Sequence, residues 1–283
     1  MNFADSTSIV AGVDGSPTAT RAALWAAGVA HDVNAPLVLA SAFTIPGAYL
    51  TDATLLAEPL TTDAAAEAQE HLHEAEQAVL EKFPDLNVRL LRQQGPADLL
   101  LVALSEQAQL VVVGAHRTAS LESLMVGTTA MLVANHAKSP VVVWRGACPP
   151  GPVVVGVDGG PLSITAIEHA FDYASRNRAP LLAIHAWDES RLMSADVDHA
   201  QHRLLLSESL AGWSEKYPDV TVKAISEPGD PRDVLADYAG RARLLVVGSH
   251  GRGRAAALIL GSTSAHLLKH SPCPVMICRQ SDS

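Results

Sequence analysis

The sequence predicts an α/β protein built twice, as two tandem doubly wound domains, each with a five-stranded parallel sheet of Rossmann-like type. Three observations carry this expectation. The chain has 283 residues, beyond the usual size of one domain and suited to two. It repeats itself: SIVAGVDGSPTA (8–19) lies over PVVVGVDGGPLS (152–163), Asp14 over Asp158, at an offset of 144 residues. Short apolar, β-branched runs such as LVVVG alternate with helical stripes, and they lack the in–out alternation of half-exposed strands.

Within the first half, strands are expected near 8–13, 37–42, 86–92, 109–114 and 140–144, with helices near 17–33, 63–82, 96–107 and 128–137. In the second helix Ala68, Leu72, Ala75 and Val79 form one apolar stripe at three- and four-residue spacing. The second half repeats the order. APLVLASAF (35–43) falls on APLLAIHAW (179–187) at 144, while KFPDLNV (82–88) falls on KYPDVTV (216–222) and QLVVVGAH (109–116) on RLLVVGSH (243–250) at 134. Ten residues are therefore extra in the first half, around TIPGAYLTDATLLAEP (44–59). Helical crossovers between parallel strands are right-handed, which leads to a doubly wound sheet in each half, and the strand order expected for it is 3-2-1-4-5. The boundary is placed in the Pro- and Gly-rich stretch, giving domains 1–146 and 152–283 with linker 147–151.

Composition narrows the function. With 48% hydrophobic and 18% charged residues the chain can bury real cores. Its formal net charge of -10 disfavours a nucleic-acid partner. No apolar run suits a membrane span and the start MNFADSTSIV is unlike a signal peptide, so no membrane association and a cytoplasmic address are expected. Cys148, Cys273 and Cys278 have no metal-type spacing; the latter two are expected on opposite sides of one strand.

In a sheet of this order, ligands collect where strands 1 and 4 end. There the second half carries GVDGGPLS, with Gly156 and Asp158, and GSHGRGRAAALILGST. The latter reads Gly248-x2-Gly251-x9-Gly261-Ser262. Glycines let backbone N–H groups approach phosphate oxygens, and Gly261, Ser262 and Thr263 set a helix N-terminus where anions are favoured. Arg252, carried beside Gly253, could offset phosphate charge or simply be solvated, and His250 is a candidate contact.

These residues resemble the universal stress protein family in its tandem-domain form, whose fold is like that of the adenine nucleotide alpha hydrolases. The resemblance covers nearly the whole chain. It implies ATP, with or without Mg2+, as the ligand: phosphates on the glycine loop, Asp158 on the nucleoside, and backbone near Ala186 on the base. It also implies dimerisation through last strands such as PVVVW (140–144) and PVMIC (274–278), with the two halves able to pair within the chain and homodimers to form.

The first half keeps Gly12, Asp14, Ala42, Gly114, Gly127 and Thr128, but Arg117 replaces the second glycine of the loop. The side chain there either blocks the backbone's approach or binds phosphate itself. Asp14 and Asp158 also have a plainer reading, as ordinary turn and helix-start residues. Twelve histidines invite a metal, but His71 with His73, His199 with His202, and His266 with His270 gather no fourfold site, so none is expected. Trp25, Trp187 and Trp213 read as packing residues.

The expected function is that of an ATP-binding regulatory protein of stress physiology, with nucleotide hydrolysed slowly or not at all and with regulatory protein partners. No catalytic residue is expected, since no Walker lysine, nucleophile elbow or carboxylate pair is present. Two rivals stand: a nucleotide-independent scaffold, and a weak phosphoryl- or adenylyl-transfer enzyme.

Overall fold

The structure, a computed structural model, describes residues 4, 7–44, 57–115, 126–146, 150–187, 195–251 and 260–279, without the side chains of 57–62 and 195–198. The chain divides into two compact units, the first holding the described residues 4–115 and 127–144 and the second those from Arg145 onward. Both are α/β.

In the first unit the order is β1 (Ile9–Gly12), α1 (Pro17–Asp32), β2 (Leu37–Phe43), α2 (Ala57–Lys82), β3 (Val88–Gln94), α3 (Ala97–Ser105), β4 (Leu110–Gly114), α4 (Thr128–His136) and β5 (Val141–Trp144). All strands pair in parallel, in the order β3-β2-β1-β4-β5. The central strands are buried because helices cover both faces; Val10, Val111 and Val142 are wholly inaccessible. Helix α1 buries Ala19, Ala22, Ala23, Ala26, Ala27 and Ala30, a stripe whose small side chains let it lie close on the sheet. Ser16 caps its start by accepting from the Ala19 amide at 3.1 Å, and Pro17 follows where its missing N–H costs nothing.

The second unit runs β6 (Val153–Gly156), α5 (Pro161–Arg176), β7 (Leu181–Trp187), α6 (Ala195–Ser209), α7 (Trp213–Lys216), β8 (Val222–Pro228), α8 (Pro231–Ala239), β9 (Leu244–Gly248), α9 (Ser262–His270) and β10 (Val275–Cys278). Its parallel sheet has the order β8-β7-β6-β9-β10. In α5 the buried stripe Ser163, Ala166, Ile167, Ala170, Phe171 and Ala174 repeats that of α1 position by position. Phe171 is fully inaccessible and stacks on Trp213 with centroids 5.5 Å apart.

Four details depart from the sequence expectation. Helix α2 begins at Ala57 rather than near 63, so the insertion contributes its first turn, where Pro59 is tolerated because early helical N–H groups have no partner; residues 45–56 lie outside the described residues. The second half breaks its matching helix at Gly212, whose φ of 79° is left-handed, leaving the short α7. Strand β3 extends two residues past its apolar run because Gln93 and Gln94 continue the ladder with Ala42 and Phe43. Cys273 precedes β10 instead of sitting in it, so the two cysteines do not flank one strand; both are buried. Burial pushes the Cys278 thiol far up. Among the described residues no helix is long and apolar enough to cross a membrane, and no three His, Cys, Asp or Glu side chains form a metal cluster.

Candidate functional site

Each unit has a cavity at the carboxyl ends of its first and fourth strands, where neighbouring connections leave on opposite faces. The larger, about 540 Å3, belongs to the second unit. Its first wall is the β6–α5 turn. Gly159 there takes φ 75°, and Pro161 opens α5. Asp158 is held inside this turn: its Oδ1 accepts from the Gly160 amide at 2.8 Å and from the Ser163 hydroxyl at 2.5 Å, and its own amide donates to Ser163 Oγ at 2.8 Å. The carboxylate thus has fixed direction, with Oδ2 toward the opposite loop.

That loop leaves β9. A Cβ on Gly248 would stand 2.9 Å from Leu162 Cβ, so only glycine lets β9 end this close to α5. A Cβ on Gly251 would stand 3.1 Å from Asp158 Oδ2, which places two loops distant in sequence in contact. The loop closes where the Gly261 amide donates to Ser249 O at 2.8 Å, reinforced by Ser264 Oγ donating to the same oxygen at 2.9 Å. Helix α9 then starts with Gly261 as N-cap and no side-chain cap, so its first amides face the cavity ready for an anion. Its far end is held by Arg145, whose buried guanidinium donates to the carbonyls of Leu268, Lys269 and Ser271. Burial lowers the Arg145 pKa to about 10.

Of the residues singled out in sequence, Gly156, Asp158, Ala186, Gly248, His250, Gly251, Gly261, Ser262 and Thr263 all line this one cavity. Arg252 and Gly253 lie outside the described residues. His250 faces the cavity with Nδ1 3.0 Å from Ser249 Oγ. Sequence reasoning missed the floor, made by Val157, Ile184, Pro231 and Leu235, and the two hydroxyls Ser163 and Ser264. The signal was present in the repeat, because Ser163 lies over Ala19 and Ser264 over Ala130.

The first unit's cavity, about 410 Å3, is lined by Gly12, Asp14, Ala42, Gly114, Gly127 and Thr128 together with Ala19, Ala40, Leu101 and Ala130. Arg117 and His116 lie outside the described residues. Asp14 Oδ1 accepts from the Ser16 amide at 3.0 Å. Gly114 again permits close approach, its Cβ position being 3.1 Å from the Ala19 amide nitrogen. Gly127 caps α4 without a side-chain bond. The frame is the same, with alanines where the second cavity has hydroxyls.

Chemically, the second cavity combines a helix start for an anion, one oriented carboxylate for hydroxyl donors and an apolar floor for a flat group. On α9 the His266 and His270 rings lie 4.5 Å apart with their planes tilted by 36°, and burial, with His270 and Arg232 adding to it, lowers the pKa of His266.

The sequence profile of the universal stress protein family matches residues 6–145 and again 151–279. A universal stress protein of Mycolicibacterium smegmatis is 34% identical over 288 residues, covering 96% of each chain. One from Mycobacterium tuberculosis is 32% identical over 299 residues, covering 96% of this chain and 94% of its own. Among solved structures, a universal stress protein from Archaeoglobus fulgidus aligns with a TM-score of 0.74 at 19% identity, over 97% of this chain and 98% of its own, a likeness of fold. The chain therefore belongs to the universal stress protein family, with two domains of that family in tandem.

Proposed function

We propose that this protein binds ATP in the second unit and acts as a regulatory nucleotide-binding protein rather than a rapid enzyme. One observation carries the reading: Gly251 lies against the Asp158 carboxylate at the open start of α9, so ribose and phosphate contacts converge in a single cavity. In this reading the α9 amides with Ser262 and Thr263 take the phosphates, Gly248, His250 and Gly251 the loop side of the chain, Asp158 the ribose hydroxyls, and Gly156 and Ala186 border the base. Arg252 and Gly253 complete the loop. Ile184, Pro231 and Leu235 supply the apolar floor that a purine needs.

The first unit is proposed as the weaker site. Gly12, Asp14, Ala42, Gly114, Gly127 and Thr128 keep its frame, while Arg117 enters the loop where the second unit has glycine. Domains 1–146 and 152–283 are proposed as the functional halves, acting in the cytoplasm as a homodimer with regulatory protein partners. Asp158 is the only carboxylate lining the larger cavity among the described residues, and it is already engaged in its own turn, which favours retention of nucleotide over fast hydrolysis.

The test is mass analysis of ligand released from purified protein, followed by titration with ATP in the presence and absence of Mg2+. Adenine nucleotide released, with one tight and one weak or missing site, is the expected result. No released nucleotide and no binding on titration would overturn the reading in favour of a scaffold.

A further inference from the structure

A residue outside the cavity governs one of its walls. Strand β7 alternates, and because Ile184 and Ala186 line the cavity, His185 between them sits on the opposite face, 6% exposed. Its Nδ1 lies 2.7 Å from the Val157 carbonyl oxygen. A carbonyl only accepts, so Nδ1 carries the hydrogen and donates. In the neutral ring Nε2 is then the acceptor, and His202 Nδ1, 2.9 Å away on α6, is its donor. The His202 ring is itself stacked on Trp187, with centroids 4.6 Å apart and planes 6° from parallel.

What His185 grips is one end of a single peptide group. The other end, the Asp158 N–H, donates to Ser163 Oγ at 2.8 Å, and that hydroxyl donates on to Asp158 Oδ1 at 2.5 Å. The plane joining Val157 to Asp158 is therefore held at both ends by side chains from β7 and α5. A turn of this plane would swing Asp158 Oδ2 away from Gly251. In the first unit the corresponding residues are Ser41 and Ala19.

We infer that His185 is a positioning residue for the second cavity: through the Val157 carbonyl it orients the Asp158 carboxylate, and His202 fixes the tautomer that lets it donate. The inference rests on the reading of this cavity as the nucleotide site. A merely space-filling role for His185 makes different predictions, because asparagine presents an amide N–H close to the place of Nδ1 while alanine presents none.

The experiment titrates the full chain with ATP, comparing the wild type with His185→Ala, His185→Asn, Asp158→Ala and the double variant Asp158→Ala with His185→Ala. The expected result is a loss of about tenfold in second-site affinity for His185→Ala, recovery to within about twofold for His185→Asn, and no further loss from His185→Ala once Asp158 is alanine. Equal affinity of His185→Ala and wild type, failure of asparagine to restore binding, or full additivity in the double variant would each overturn the inference. Absence of binding by the wild type would instead sink the nucleotide reading. Hydrogen exchange of the Asp158 amide needs no ligand and serves as the second measurement: faster exchange in His185→Ala than in wild type and His185→Asn is expected. Equal protection in all three overturns the inference whether or not nucleotide binds, and if His185→Ala does not fold, His202→Phe, which keeps the stack on Trp187 but removes the donor, takes its place.

Discussion

The two cavities share a backbone frame and differ in who holds it. Both lie at the ends of strands one and four, both have an aspartate two residues beyond the first strand, and both face a helix whose glycine N-cap offers no side chain. In the second unit, side-chain hydroxyls tie the frame together: Ser163 clamps Asp158, and Ser264 clamps the loop at Ser249. In the first, those positions are Ala19 and Ala130, and Asp14 is used in the turn that leads into the Ser16 cap of α1. The duplicated fold thus keeps the glycines that packing requires, Gly114 and Gly248 among them, while the polar clamps differ between copies. Gly114 and Gly248 illustrate the first half of that statement, since each is required by a helix lying on the strand end.

The difference can be broken most severely at Gly251. Gly251→Arg, which installs the residue that the first half has at 117, forces a side chain against Asp158 Oδ2, and a loss of about thirtyfold in second-site ATP affinity, about 2 kcal/mol, is expected by calorimetric titration. Arg117→Gly should change the first site less, and equal effects at both sites would contradict the asymmetry. Gly248→Ala comes next, now on stability: its Cβ position 2.9 Å from Leu162 Cβ should cost about 1–3 kcal/mol in denaturant unfolding of the second unit. Ser264→Ala should cost less, about 1 kcal/mol, and raise amide exchange at Gly261, while Ala130→Ser in the first unit should tighten its loop.

The smallest expected effect is a pH response. Burial holds the pKa of His169 on α5 below the ordinary histidine value, with Glu168 and Asp172 pulling weakly the other way. The unfolded chain therefore takes the proton more readily, and the stability contributed by neutral His169 is present above pH about 6.5 and declines as the pH falls below it. The matching residue of the first unit is Trp25, which does not titrate. Thermal melts from pH 7.5 to 5.5 should show a slope in the second unit's transition that His169→Gln reduces, the remainder coming from His266, whose pKa burial also lowers, and an unchanged slope in that variant would rule out the assignment.

Much of this was legible in residues alone. The offset between Asp14 and Asp158, and the run from Gly248 to Ser262, mark the strand ends and the helix start without any coordinates, because glycine and helix-start chemistry are local. The floor was not legible. Leu235 and Pro231 come from α8, and Ile184 from β7, and nothing in their local sequence distinguishes them from ordinary core residues. The break at Gly212 was similarly hidden, since a glycine within a helical pattern can be accommodated or can end it, and only its left-handed φ decides. Nor did the spacing of His199 and His202 reveal what the latter does, because its partner His185 lies on another element.

By itself, then, the sequence determined the duplication, the alternation of strand and helix, and the position of the glycine loop, all of which depend on periodicity and backbone freedom over a few residues. Tertiary structure alone decided that Asp158 faces Gly251, that Ser163 and His185 hold the two ends of one peptide group, and that Ser264 closes the loop. Those contacts join residues far apart in the chain, and hydrogen-bond direction and close approach exist only once the elements carrying them are packed.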